Sequence, residues 1–213
     1  MKKILKFLLG IILVIVVILG GYLIYLFASY DRLPDNLTLK PTNQHDQTLE
    51  TNTTYRAMSH NIGYGAYPPS YSFFMDGGKY SRAYDQKTVK KNMQGIVTTT
   101  KELAPTLAFY QEVDQEGDRS QHVDEVAFLK KHLADYNSIY GQNYDSSYLF
   151  YPFTDPIGQA KSGLVTLSQA KIASSKRYSL PIETNFNKFF DLDRAFTVSR
   201  LPVKGGHELI AIN

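Results

Sequence analysis

Tyr55-Arg56-Ala57-Met58-Ser59-His60-Asn61-Ile62 and Thr106-Leu107-Ala108-Phe109-Tyr110-Gln111-Glu112 decide the fold. Each reads as a strand with a polar side chain near its end. Gly63-Tyr64-Gly65 breaks the first. Between the two, Asp85–Leu103 sets Val89, Met93, Ile96, Val97 and Thr100 at helical spacing, and Pro105 ends that helix. Downstream, Gln115–Ser120 reads as a polar loop. Gln121–Tyr136 reads as a second amphipathic helix, with Val126, Leu129 and Leu133 on one face. Further strands are expected at Ser147–Tyr151, Ser162–Ser168, Ile172–Leu180, Ala195–Val203 and Glu208–Asn213. Two early helices followed by many strands predict an α/β or α+β sandwich.

Upstream of this block, Asp31–Thr54 is polar, holds Pro34 and Pro41, and shows no sustained period. It reads as the main part of a stalk over residues 29–54. Before it, Phe7–Ala28 is a run of 22 residues without a charge. As a helix it spans about 33 Å, against roughly 30 Å of bilayer hydrocarbon. A cleaved signal peptide has a shorter apolar region, typically about 7–15 residues, and a small-x-small exit that Ala28-Ser29-Tyr30 matches poorly. An uncleaved single-pass anchor over residues 7–28 is expected. Lys2, Lys3 and Lys6 in a basic tip, residues 1–6, place the N-terminus in the cytoplasm and the rest outside it.

Those three lysines are the only charges before Asp31; without them 20 basic residues face 20 acidic ones. The domain therefore lacks the basic excess that duplex DNA binders usually carry. The absence of Cys excludes disulfide scaffolds, thiolate zinc sites and cysteine nucleophiles.

Three motifs sit in order: Met58-Ser59-His60-Asn61-Ile62-Gly63, Phe109-Tyr110-Gln111-Glu112-Val113-Asp114, and Ser162-Gly163-Leu164-Val165-Thr166-Leu167-Ser168. Their order and spacing resemble the endonuclease/exonuclease/phosphatase superfamily, the DNase I-like fold. Met75-Asp76-Gly77-Gly78-Lys79-Tyr80-Ser81-Arg82-Ala83 and Asp118-Arg119-Ser120 resemble a membrane-anchored bacterial branch of it. The resemblance covers residues 55–213. It implies the N-terminal part of a four-layer α/β sandwich and a metal-dependent phosphoesterase acting on phosphodiesters or phosphomonoesters. It implies Glu112 as the carboxylate for magnesium or another divalent cation such as manganese, and Asn61 as an amide steadying the metal or a phosphate oxygen. Magnesium suits such a site because it takes oxygen ligands and keeps several waters.

Read without the resemblance, Asn61 suits an ordinary turn residue before Gly63 better than a functional amide, and Glu112 suits the first solvated residue after an apolar strand as well as a functional carboxylate. Asp114 and Arg119 suit either a loop salt bridge or a pocket wall, the former being favoured. Arg82 and Lys79 suit substrate phosphate, although Gly77-Gly78 also reads as a plain turn. His60, next to Asn61 on a strand, points to the opposite face. His122, His132 and His207 have no evident partners in the sequence.

The family's Asn-x-His is matched only as far as Asn213, and its later Asp-x-Asn and Asp-His motifs are not found in these residues. The chain is thus expected to be an incomplete, N-terminal part of a hydrolase that lacks the general acid–base groups. The alternative is a non-catalytic surface or binding module. The neutral domain and its anchor favour phospholipid or small phosphoester substrates over duplex DNA.

Overall fold

The computed structural model describes residues 2–42 and 44–213. Met1 of the expected basic tip and Asn43 of the expected stalk lie outside the described residues. The chain forms two compact units that divide between Asp31 and Arg32.

The first unit is a helix, α1 (Lys2–Ser29). It is long and apolar enough to cross a membrane, with a mean hydropathy of 3.0 over its most apolar window and no part of that window buried.

The second unit runs β1 (Leu37–Leu39), β2 (Ala57–Asn61), α2 (Gln86–Leu103), β3 (Leu107–Gly117), α3 (Glu125–His132), β4 (Asn137–Asp145), β5 (Ala160–Ser168), β6 (Ser174–Ser179), β7 (Ala195–Val203) and β8 (His207–Ile212). Short 3-10 turns at Gly63–Gly65, Phe74–Asp76 and Phe186–Phe189 punctuate it. Two four-stranded sheets result, ordered β2-β3-β5-β4 and β1-β6-β7-β8. β2 and β3 are parallel, and every other pair is antiparallel.

α2 makes the β2–β3 crossover because its sequence caps and stripes it. The Asp85 carboxylate accepts the Thr88 N–H at 2.6 Å and opens the helix. Val89, Met93, Ile96, Val97 and Thr100 form its buried stripe. Ala104 leaves it in a left-handed conformation (φ 43°), and Pro105 follows. The stripe packs with Val126, Leu129 and Leu133 against Ala108, Tyr110, Val113, Val165 and Leu167. At the centre, the Thr100 and Tyr110 hydroxyls share a buried hydrogen bond of 2.6 Å. A second, smaller core of Leu49, Leu107, Ala170, Leu201 and Ala211 gathers Phe109 and Leu209 against it. The molecule is a mixed α/β sandwich of helices, sheet and second sheet. The described residues supply three of the four expected layers.

The stalk is the main correction. Leu37–Leu39 pairs with Arg177–Ser175 as an edge strand. Thr42 bridges Ser138, and Leu49 bridges Val203. The buried Asn137 amide accepts N–H groups from Gln44 and His45 and donates to the His45 and Ala170 carbonyls. Leu49 fills the second core. Polar composition concealed this segment because its backbone, not its side chains, supplies most of the attachment.

Other boundaries moved. β3 runs on to Gly117 through half of the expected loop, because it keeps pairing with β5 past two register shifts. α3 stops at His132, with Leu133 at φ −120°. β4 is a strand that the sequence did not announce. Its Gly141 lies where an added Cβ would stand 2.4 Å from the Thr197 methyl, so the sheets meet across a glycine. Ser147–Tyr151 holds only a lone bridge, Leu149 to Gly158.

Candidate functional site

Asn61 and Gln111 are partners in the β2–β3 ladder, which ends with the Ile62 N–H donating to the Gln111 carbonyl at 3.0 Å. One residue on, β3 slips its register against β5 between Tyr110 and Val113. Glu112 sits in that bulge with φ 55°, a left-handed value that glycine favours and a glutamate adopts only under constraint. The bulge turns the Glu112 side chain to the open end of the sheet, where it is exposed.

The Asn61 Nδ2 donates to Glu112 Oε1 at 2.8 Å. The Asn61 Oδ1 accepts the Gly63 N–H at 2.9 Å, which fixes which way the amide points. From that N–H on, three successive residues are left-handed: Gly63 (φ 54°), Tyr64 (φ 41°) and Gly65 (φ 59°). The two glycines adopt this backbone freely, but Tyr64, like Glu112, holds it only where its surroundings impose it, and such strain gathers at functional sites.

The restraint comes from beneath. The Arg119 guanidinium lies 4.1 Å from the Tyr64 ring centre. It donates to both oxygens of the fully buried Asp114, at 3.0 and 2.8 Å. Burial disfavours that cation, but the Asp114 charge and hydrogen bonds outweigh it and hold Arg119 firmly protonated. Glu125 Oε2 accepts the Asp114 N–H at 2.9 Å, while its Oε1 is buried without a hydrogen-bond partner. Burial, with the Asp114 charge beside it, pushes the Glu125 carboxyl well above its usual range. The Tyr64 and Tyr67 hydroxyls bond to each other. Burial pushes the Tyr67 phenol up, and the nearby Glu112 charge acts in the same direction.

The expected pair, Asn61 and Glu112, is thus brought together. Asn61 presents an N–H donor to Glu112 and gives its oxygen to Gly63, and in this arrangement it orients the carboxylate. Asp114 and Arg119, named as possible substrate contacts, spend their charges on each other below the surface. Arg82 is also committed: it bonds the Pro156 carbonyl, approaches the Tyr148 hydroxyl at 3.4 Å, and pairs loosely with Asp118 and Asp155. It holds the 148–157 loop. His60 is exposed. His122 meets Glu116, and His132 stacks on Phe128. Sequence reading missed Tyr64, Tyr67 and Glu125. Only the unusual Gly63-Tyr64-Gly65 spacing hinted at the first.

The donor set can be tested against a divalent cation. Among the described residues no group of three or more His, Asp and Glu side chains could hold an ion. The described residues therefore offer no His and carboxylate cluster of the kind structural zinc takes. Magnesium is commonly bound through one or two carboxylates with water filling the rest of its shell. Glu112 fits this role: it is exposed, its orientation is fixed by Asn61, and hydrogen bonding engages only its Oε1.

Comparison with known proteins gives little beyond this. No family model matches the chain, and no curated protein matches it. Among solved structures, the chain is similar to the crystal structure of endonuclease/exonuclease/phosphatase from Beutenbergia cavernae DSM 12333. The two are 17% identical with a TM-score of 0.49; the match covers 74% of this chain and 37% of that one. The chain thus spans little more than a third of that protein's length.

Proposed function

We propose that this chain is the metal-binding part of a membrane-anchored phosphoesterase of the endonuclease/exonuclease/phosphatase superfamily. The observation that carries this is the 2.8 Å hydrogen bond from Asn61 to a Glu112 held in left-handed backbone at the end of the parallel β2–β3 ladder. A carboxylate projected on strained backbone and fixed by a neighbouring amide is organised before any ligand arrives.

Glu112 would hold magnesium or manganese through a carboxylate oxygen. When bound, the ion supplies Lewis-acid charge for a phosphoryl oxygen. The chain's own residues do the positioning. Asn61 limits the rotation of the Glu112 side chain. Gly63, Tyr64 and Gly65 set Asn61, and Arg119 sets Tyr64. Tyr67 walls one side of the carboxylate. α1 would anchor the domain in the membrane, with Lys2, Lys3 and Lys6 on the cytoplasmic side and the domain outside the cytoplasm. The substrate class that fits a neutral, anchored domain is a phospholipid or small phosphoester.

One observation favours a second reading, a binding module without turnover: among the described residues Glu112 does not belong to any group of three or more His, Asp and Glu side chains that could hold an ion. A single experiment addresses both. The full chain, reconstituted in lipid nanodiscs, is titrated with manganese and followed by electron paramagnetic resonance, beside Glu112→Gln. Phosphate release from phospholipids and sugar phosphates is assayed in parallel. Manganese binding by the parent chain, lost in Glu112→Gln, is the expected result. Binding with no phosphate release selects the module. Equal binding by both chains removes the metal site altogether.

A further inference from the structure

Two loops of the domain meet through aromatic rings. From the site outward, Tyr64 touches Tyr67 at 5.2 Å between ring centres, and Tyr67 touches Phe73 at 5.7 Å. Phe73 continues to Phe74 at 5.0 Å, Phe74 to Tyr151 at 5.8 Å, and Tyr151 to Phe153 at 6.0 Å. This line begins at the buried Tyr64, passes the half-buried Phe73 and Phe74, and is most exposed at its far end. At its far end Tyr151 is 63% exposed and Phe153 85%, and Met75, next to Phe74, is 72% exposed. A run of large apolar groups this open is seldom left to water in a monomer.

We propose that this ridge is a bilayer-docking surface, and that its occupant is the lipid interface of the membrane that α1 spans. This rests on the anchor reading given above and not on the metal site. Three observations select lipid. First, the tether is short. α1 ends at Ser29, and Arg32 is already fixed to the domain through Asp193 and the Leu180 carbonyl, both at 2.8 Å. Three residue steps reach at most about 10 Å, so the chain keeps Arg32 within that reach of the end of α1. Second, the composition is interfacial. Tyr and Phe have apolar bodies suited to the acyl boundary, and tyrosine adds a hydroxyl for the headgroup layer. Third, the charge is neutral. Asp76, Lys79 and Arg82 in the first loop and Asp155 in the second cancel, which suits zwitterionic headgroups.

The chain contains no Trp, so one introduced indole reports alone. Phe153→Trp and, as a control, Leu103→Trp at the exposed end of α2 are prepared in the full chain and reconstituted into phosphatidylcholine vesicles. Each is repeated with phosphatidylcholine brominated at shallow acyl positions, and flotation checks that the chain is bound. The expected result is short-wavelength emission from position 153 that bromolipid quenches, with a depth of about 5–10 Å below the headgroups. Emission from position 103 stays at long wavelength and unquenched. Floating chain with a water-exposed, unquenched indole at 153 overturns the ridge and leaves the anchor standing. Short-wavelength emission without quenching means that a second copy covers the ridge, which also overturns the proposal. Equal quenching at both positions removes any role specific to the ridge. Failure to float removes the anchor and the proposal together, without touching the Glu112 site.

Discussion

Asn61 uses both ends of its amide, one on Glu112 and one on Gly63, and this decides what its replacement does. Asn61→Ala frees the carboxylate to rotate; loss of such an orienting partner typically weakens metal affinity about 10–100-fold. Asn61→Asp places a like charge against Glu112 and removes the donor. Manganese titration by paramagnetic resonance should show the first as a graded loss and its charged counterpart as a different, pH-dependent one. Gly63→Ala tests the turn. Its φ is 54°, and an added Cβ would stand 2.2 Å from a Tyr67 ring carbon. The left-handed backbone alone costs about 1–2 kcal/mol, and moving the Tyr67 ring adds to that. Urea denaturation should show the loss. The strand-end position of Asn61 was legible in the sequence, whereas Glu112, read as ending its strand, lies in the middle of β3. The bulge that turns Glu112 outward was not legible, because it arises from pairing with β5, more than 50 residues on. Nor was Glu125: an acidic residue in a first helical turn reads as solvated, and only the packing of α3 on β3 buries it.

α2 was the most legible element, since cap, stripe and stop all agree, as they do in strongly specified helices. Met93 lies fully buried at the middle of its stripe. Met93→Ala should cost about 2–5 kcal/mol, read as a lower urea midpoint with an unchanged slope. α3 carries a pH dependence. The native Glu125 carboxyl keeps its proton to higher pH than the unfolded one, whose usual value is about 4.3. Above that value the native state binds more protons than the unfolded state. Its contribution to stability is full below about pH 4.3 and is lost as pH rises toward the native value. Glu125→Gln cannot ionise and still offers an oxygen to the Asp114 N–H. Thermal melts at steps from pH 4 to pH 8 should show a flatter decline in the variant and a higher Tm near neutrality. β4 shows the opposite case. Its Asn, Gly and Gln residues have little strand propensity, and neighbours on both sheets decide the matter.

At the scale of the whole molecule, the domain begins where α1 ends. A chain starting at Tyr55, the boundary that composition suggests, strips β1 from β6 and Leu49 from its core. It also loses the Arg32–Asp193 ion pair beside the buried Arg177. That chain should aggregate during size-exclusion chromatography, while one starting at Arg32 should run as a single folded species. Composition misjudged this segment because an edge strand and a strap need few apolar side chains, and their partners lie over 90 residues away. Asn213 joins the two layers. Its Nδ2 faces the Tyr110 and Val165 carbonyls, its Oδ1 accepts from Gln111, and its backbone pairs with Thr197 in the other sheet. Tension applied at residue 213 would therefore be shared by both sheets instead of unzipping β8 alone.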